Sequence, residues 1–318
     1  MVFVEASTHN NGTLKLITFC LIIGGVTLYR GLRKFLTKRK VEDLALSKIT
    51  SAAQGLIEIE GQAWPTALRK CIDGRPVCFW SVQVQEYRSS GKNSKWETVY
   101  TFETSDDFLA LDDTGACLIQ PLSAQLEISE TIIPKNKMSE LQLSFLSDSL
   151  PLAARYFQGG GGIFGSLFEN NVRLIEKKIL AGAPIYARGH FYTTTEHTHA
   201  VAIGDINSYK NQIKKVTSAN YQKVMFDSNR DGKISEEELR SGHSAAANMF
   251  MRRDDVQSIK IAGKITSASE HGLIIADIYQ KYLIARMSLS SLVQIWGGVA
   301  ALGIGFYFLS LYLTHQLS

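Results

Sequence analysis

The chain has 318 residues, and 34 Lys and Arg residues against 30 Asp and Glu residues leave a formal net charge of only +4. Hydrophobic residues make up 45% of the sequence and proline occurs only 6 times, which excludes disordered and collagenous chains. The small net charge gives no support for nucleic acid as a partner. Because the apolar residues concentrate near both ends, the sequence indicates a membrane-attached protein with a folded, more polar middle.

An apolar segment over 14–30 predicts a transmembrane anchor. It contains one charge before its C-terminal end, Lys15, whose long side chain can reach the membrane interface. A cleaved signal peptide is the alternative, but such a peptide begins with basic residues and ends at small ones. Here the order is reversed, since six cations lie at the end of the apolar segment or after it: Arg30, Arg33, Lys34, Lys38, Arg39 and Lys40.

These cations also predict the orientation of the chain. Together with Lys281 and Arg286, which precede the second apolar segment, they place the middle of the chain on the cytoplasmic side by the positive-inside rule. The sequence therefore predicts a two-pass integral membrane protein. Over 31–54 we expect a basic juxtamembrane helix, because 41–54 has helical spacing and Gly55 is a suitable C-cap.

Short β-branched and aromatic runs over 55–204 predict a β domain. Several of them alternate between apolar and polar residues, as half-buried strands do. The runs are 55–61, 76–87, 96–103, 108–120, 171–180 and 184–195. Their length and spacing predict an α+β fold built on a small antiparallel β barrel or sandwich, not an α/β nucleotide fold.

The segment 132–168, between the two groups of strands, is expected to be irregular. It includes four consecutive glycines, Gly159 to Gly162. A glycine run can bind phosphate, but a phosphate loop needs Lys and then Ser or Thr after the glycines. Since Ile-Phe-Gly follows here, we predict a flexible connector.

Several short pieces of sequence within 45–203 carry a resemblance to a known family. The pieces are LIEIEG at 56–61, GRPVCFW at 74–80, Trp96, FLALDDTGACLIQP at 108–121 with 124–127, and VRLIEKKILAGAPIYARG at 172–189. In this order they resemble the beside-a-membrane domain of the GIDE family, best known from mitochondrial and chloroplast membrane ubiquitin ligases. A transmembrane segment on either side of the domain is also similar to the family's architecture.

The resemblance implies a ubiquitin ligase, but we do not expect this chain to act as one alone. In ligase members a RING follows the second transmembrane segment, binds two zinc ions through eight Cys and His ligands, and recruits the ubiquitin-conjugating enzyme. Only five residues, 314–318, follow the second segment in this sequence, and the whole sequence has four cysteines. Ligase activity would need a RING supplied by another protein.

One acidic stretch matches the EF-hand loop, a calcium site. The sequence DSNRDGKISEEE at 227–238 places oxygen ligands at loop positions 1, 3, 5, 7, 9 and 12, and Gly232 supplies the sharp turn at position 6. Calcium is a hard cation that takes roughly six to eight oxygen ligands, which acidic and amide side chains provide. The predicted ligands are Asp227, Asn229, Asp231, Lys233 through its backbone carbonyl, Ser235 and Glu238.

The residues around this loop are expected to form an EF-hand helical hairpin over 205–256. Residues 209–226 and 236–252 have helical spacing, and Ser235 with Glu238 forms a capping-box pattern. The alternative is an acidic turn that precedes a helix by chance. Since we see no second loop of this type and two cations reduce the charge of the loop, we expect a weak dissociation constant of about 10⁻⁵–10⁻³ M.

Two other groups of side chains do not form a recognisable site. Histidines and a glutamate lie close together at His190, Glu196, His197 and His199, but HExxH is absent and a full ligand set cannot be named, so we favour a solvated strand end over a metal site. The cysteines form no CxxC pair, which excludes a disulfide scaffold, and we interpret Cys71 and Cys78 as structural thiols. The sequence nominates no catalytic nucleophile.

A second apolar segment over 289–313 has no formal charge and predicts a transmembrane helix, with closing strands and a helix over 257–288 before it. A buried core helix is the alternative, but it rarely stays uncharged over such a length. Gly297, Ala301 and Gly305 recur every four residues. This face can pack on the first segment or form a homo-oligomer, unless the glycines only reflect their frequency in membrane helices.

Three functional interpretations follow from these residues. The first is a non-enzymatic, membrane-anchored scaffold or sensor whose EF-hand hairpin changes conformation when Ca²⁺ binds. The second is a ligase-like member of the GIDE family that needs a RING in trans. The third makes the loop a static structural clamp. The first, preferred interpretation implies the lipid bilayer and an unidentified protein as partners.

Overall fold

The computed structural model describes residues 2–42, 45–90, 93–158, 172–194, 198–217, 224–251, 256–268 and 272–317. The chain divides into two compact units, a helical unit (Met1–Leu44 and Gln280–Ser318) and a β unit (Ala45–Tyr279). The glycine connector predicted at 159–162 lies outside the described residues, as do Glu196 and His197.

The helical unit consists of an N-terminal helix, Val2–Glu42, and a C-terminal helix, Gln280–Leu317. Each contains a stretch that is long and apolar enough to cross a membrane, Leu14–Leu36 and Tyr282–Thr314. Large apolar side chains, including Phe19 and Trp296, are exposed along both stretches. A buried core helix would instead cover such side chains with protein.

Glycines bring the two long helices into close contact. A Cβ atom added at Gly24 or Gly298 would crowd the opposite helix, with backbone atoms of Leu28 only 2.7–2.9 Å from the one at Gly298. Gly298 and Gly305 share a face because seven residues are close to two helical turns. The predicted face at Gly297, Ala301 and Gly305 is only partly the contact face. Gly305 meets the N-terminal helix, whereas a Cβ atom at Gly297 would meet no described atom within 4 Å.

The helix predicted over 31–54 is wrong beyond Glu42. The N-terminal helix ends at that residue, and in the β unit 45–48 is not helical and Ile49–Ser51 forms a single 3-10 turn. Ile49 is buried in the core, and its N–H donates to Asp112 Oδ2 over 2.9 Å. Contacts with residues distant in sequence thus replace the helical hydrogen bonds that the local spacing predicts.

The β unit contains a barrel and a second sheet. Each predicted run forms a strand over most of its described residues, and the run at 108–120 forms two short strands separated by a turn at 112–115. In chain order the strands are β1 (Gly55–Pro65), β2 (Arg69–Lys70), β3 (Pro76–Ser90), β4 (Asn93–Glu103), β5 (Phe108–Leu111), β6 (Ala116–Ile119), β7 (Gln125–Glu127), β8 (Glu130–Pro134), β9 (Val172–Leu180), β10 (Pro184–Thr193), β11 (His199–Ile203), β12 (Val256–Lys260), β13 (Gly263–Thr266) and β14 (Ile274–Ala276).

Five strands close into a barrel in the order β1-β5-β6-β13-β10, because β10 pairs with β1 as well as with β13. The barrel is antiparallel except between β6 and β13, which are parallel. The prediction of an antiparallel barrel is therefore wrong at this pair, which the long connection between the two strands permits. β10 returns beside β1 after three consecutive strands, which is a Greek key. Five-stranded barrels of this kind serve many unrelated functions, so the barrel alone identifies none.

The second sheet carries two helices that the sequence did not predict. β3 lies between β4 and β9, and β9 also pairs with β8. Helices α1 (Glu140–Ser149) and α2 (Pro151–Gln158) pack on this sheet, and their Leu146 and Phe157 belong to the same buried cluster as Trp80 and Val82 of β3. The irregular segment expected over 132–168 is thus wrong where it is described. A capping box between Ser139 and Gln142 marks the start of α1.

A helical insertion joins β10 to β13 and packs on the outside of the barrel. It contains α3 (Ile206–Thr217) and α4 (Glu236–Asn248), and β11 pairs with β12 at its base. The chain is helical again at 224–225, and 218–223 lie outside the described residues. Tyr209 of α3 and Ala247 of α4 are buried together with Trp64 and Leu109 of the barrel. The barrel therefore holds the start of α3 and the end of α4, which are the helix ends farther along the chain from the 227–238 segment.

Candidate metal-binding loop

The segment 227–238, hereafter the loop, lies between a helical turn and the start of α4. Phe226, directly before the loop, packs its ring against His243 of α4 with 5.1 Å between ring centroids. A side chain at Gly242 would overlap the Phe226 ring, so only glycine permits this approach. The residue before the loop is therefore held against α4, the helix that follows the loop, by an aromatic contact.

The first half of the loop is tightened by Asp227. Its Oδ1 accepts from the N–H of Asp231 over 3.2 Å and its Oδ2 from the N–H of Gly232 over 2.9 Å. Gly232 has φ +78°, a left-handed conformation that glycine adopts without strain. The sharp turn predicted at this position is present.

The middle of the loop is held by two further predicted ligands. Asn229 Oδ1 accepts from the N–H of Asp231 over 2.9 Å, and Asp231 Oδ1 accepts from the N–H of Lys233 over 2.7 Å. Side-chain oxygens at alternate positions thus turn toward the loop's own backbone. Each of these oxygens retains a second lone pair that could reach a cation.

Glu238 closes the loop from the first turn of α4. Its Oε1 accepts from the N–H groups of Ser228 and Asn229 over 3.0 and 3.3 Å, and its Oε2 accepts from the N–H and Oγ of Ser235, both over 3.0 Å. These contacts, led by the Ser235 N–H, hold the pKa of the Glu238 carboxyl below its ordinary value. The carboxylate is therefore ionised at neutral pH, as a calcium ligand must be.

The structure brings the predicted side-chain ligands into one hydrogen-bonded loop, but it does not arrange them as a closed ligand shell. No group of three His, Cys, Asp or Glu side chains in the described part of the chain has a geometry that could hold a metal ion. The acidic oxygens accept hydrogen bonds mainly from backbone N–H groups of the loop. A cation bound here would use the remaining lone pairs of these oxygens.

The other sequence candidates are placed elsewhere. His190 lies on β10 and stacks on Tyr192 with 4.5 Å between ring centroids, and His199 begins β11. Cys71 and Cys78 are buried free thiols, and burial raises the pKa of both, so neither is an activated nucleophile.

Two residues that carry the resemblance to the GIDE family contact each other in the second sheet. Glu176 Oε1 accepts from Trp80 Nε1 over 2.8 Å and from the N–H of Ile72 over 3.2 Å, while its Oε2 is 2.6 Å from Lys178 Nζ. The buried carboxylate is thus fully paired, and it joins β3 to β9. This arrangement stabilises the sheet and leaves no reactive group.

The structure contains a polar contact between α4 and the segment that follows β14, which no sequence pattern predicts. Arg240 Nη1 donates to Asp277 Oδ2 over 2.7 Å and to Ser129 Oγ over 2.8 Å. His243 Nε2 lies 3.4 Å from the hydroxyl of Tyr279. These residues are far apart in sequence and form no motif, so only the fold brings them together.

Comparisons with known proteins identify no relative of this chain. No family model, no curated protein and no solved structure matches this chain.

Proposed function

We propose that the protein is a non-enzymatic, membrane-anchored scaffold or sensor that binds calcium in the loop. The observation that carries this proposal is the position of Glu238, whose carboxylate bonds to the backbone at Ser228 and Asn229 and so bridges the last loop position to the first ones. A bidentate carboxylate at this position is what an EF-hand loop offers to calcium. The turn at Gly232 and the hydrogen-bonded Asp227 support the same reading.

The proposal for the membrane rests on the two long helices. Their apolar stretches are exposed and of sufficient length, and glycines allow the helices to pack closely, as membrane helices do. We infer two passes, with the β unit on the cytoplasmic side because of the cations at 30–40. The resemblance to the GIDE family is consistent with this architecture and remains part of the proposal, with ligase activity as the alternative if another protein supplies a RING.

Calcium binding is tested by titration calorimetry on the full chain in nanodiscs of zwitterionic lipid. Glu238→Gln keeps the size of the side chain and removes its charge, so calcium loses a bidentate anionic ligand and affinity should fall at least tenfold, about 1.4 kcal/mol. Glu237→Gln makes the same change at the neighbouring exposed residue and should leave affinity within about twofold. Magnesium should compete poorly, since it prefers six ligands with retained water.

The calcium proposal fails if the wild-type chain gives no heat with calcium up to millimolar concentration. It also fails if the two glutamine variants bind equally well.

Orientation is tested by cysteine labelling in intact cells, in a chain whose Cys20 is replaced by Ser, because the other three cysteines are buried. A cysteine at Asn93 should resist a membrane-impermeant thiol reagent, and one at Ser318 should react. The reverse pattern would place the β unit on the opposite side of the membrane.

A further inference from the structure

The exit helix of the loop, α4, makes two polar contacts with the three residues that precede the C-terminal helix. These residues, 277–279, are called the connector here, and Gln280 begins the helix. Arg240 Nη1 donates to Asp277 Oδ2 over 2.7 Å, and the Arg240 and Asp277 side chains are 17% and 4% exposed. Because both side chains are nearly buried, separating them would leave a charge without its partner in a poorly solvated place, which is costly. The pair therefore favours one position of α4 relative to Asp277.

The second contact lies one turn further along α4. His243 is fully buried, with its Nε2 3.4 Å from the Tyr279 hydroxyl, which also accepts from Gln62 Nε2 over 3.3 Å. The same imidazole packs on Phe226, the residue directly before the loop. A single side chain thus contacts both the entrance of the loop and the end of the connector.

The connector is held in place on both sides and in its middle. Ile278, between the two contacted residues, is fully buried, and β14 ends at Ala276, directly before Asp277. A shift of α4 along or around its axis would therefore strain the connector or break its contacts. Packed elements of this kind respond to a change at one end as a unit.

We propose that calcium in the loop tightens the hold of α4 on the connector, and so regulates the segment through which the chain enters its C-terminal helix. This inference rests on the proposed calcium binding. Three carboxylates, of Asp227, Asp231 and Glu238, lie in the loop, and a bound cation would offset their mutual repulsion. The arrangement that places Phe226 against His243 is then favoured, together with the contacts to Asp277 and Tyr279 that accompany it.

Hydrogen-exchange mass spectrometry on the full chain in nanodiscs measures this link. In the wild type, calcium should slow exchange in peptides covering 277–280 by at least about fivefold, the lower end of ordinary coupling between sites. At a calcium concentration that half-saturates the wild type, Glu238→Gln should lose most of this slowing. Arg240→Met removes the ion pair and keeps much of the side-chain volume, so calcium should still bind while the connector gains little protection.

Reciprocity gives a second readout that a merely structural role would not produce. If calcium stabilises the connector by a certain factor, Arg240→Met must weaken calcium binding by the same factor, which calorimetry measures. Arg155→Met, on the exposed face of α2, is the matched control and should leave both quantities unchanged. Tyr279→Phe removes only a hydroxyl and should produce a smaller change of the same sign, which keeps the test informative if Arg240→Met does not fold.

The outcomes separate the two proposals. Absence of calcium heat in the wild type overturns the calcium site itself. Normal calcium heat with protection confined to 224–240, and with affinity unchanged in Arg240→Met and Tyr279→Phe, leaves the calcium site intact and overturns the link to the connector.

Discussion

The two ends of the helical insertion are stabilised by different forces. At the barrel end, Ile206, Tyr209 and Ala247 are buried against Trp64, and stability there comes from apolar area removed from water. At the loop end the residues are largely exposed, and conformation is held by hydrogen bonds from backbone N–H groups to acidic side chains. Such exposed bonds contribute little net stability.

This difference separates the part of the insertion that maintains the fold from the part that can respond to a ligand. Changes at the barrel end should cost stability with or without calcium. Changes at the loop end should alter stability little in the absence of calcium and more in its presence.

Tyr209→Ala should reduce the free energy of unfolding of the β unit by about 3–5 kcal/mol, because a fully buried ring that stacks on Trp64 at 4.5 Å is replaced by a cavity. Among the described residues the Tyr209 hydroxyl has no hydrogen-bond partner. Tyr209→Phe should therefore be neutral or stabilising by up to about 1 kcal/mol. Urea unfolding followed by tryptophan fluorescence measures both. Equal losses in the two variants would show that the hydroxyl, not the ring, matters.

His243, between the two ends, should make stability depend on pH. Burial lowers its pKa to about 4, while Phe226 and Tyr279, which contact the ring, carry no charge between pH 4 and 7. Below pH 6.5 the unfolded chain binds a proton that the folded chain does not, so stability falls with pH, by about 3 kcal/mol in total near pH 4. His243→Gln should remove this component. A wild-type profile parallel to that of the variant between pH 7 and 4 would contradict the assignment.

Gly232→Ala should have the smallest effect, about 1–2 kcal/mol on the loop conformation, because φ +78° is unfavourable for alanine even though no described atom lies within 4 Å of the added Cβ. Gly272→Ala also adds a Cβ in open space but without a positive φ, and it should be neutral. Calcium affinity should fall only in the first variant. A similar affinity in both would show that the turn does not position the ligands.

How much the sequence predicts depends on the distance between the residues involved. The loop turn at Gly232 and the Ser235–Glu238 capping box lie within twelve residues, and both are present in the structure. The parallel pairing of β6 with β13 and the contact of Arg240 with Asp277 join distant residues, for which periodicity carries no signal.

The helical predictions failed for two different reasons. The helix over 31–54 stops at Glu42 although its spacing continues, since burial of Ile49 and its bond to Asp112 override local preference. Helices α1 and α2 were missed although a local signal, the Ser139–Gln142 capping box, was available. In the first case tertiary contacts override the local preference for helix. In the second case the capping box is a local signal from which the helix could be predicted.

The most direct test of calcium binding in the loop is the amide proton resonance of Gly232 in glycine-labelled full chain, observed by NMR in nanodiscs. This N–H donates to Asp227 Oδ2 over 2.9 Å, and a cation held by that carboxylate should polarise and order the bond. We expect the Gly232 resonance to move downfield and saturate as calcium is added, and to need at least about tenfold more calcium for the same movement in Glu238→Gln. A Gly232 resonance that does not respond to millimolar calcium in the wild type would contradict the proposed site.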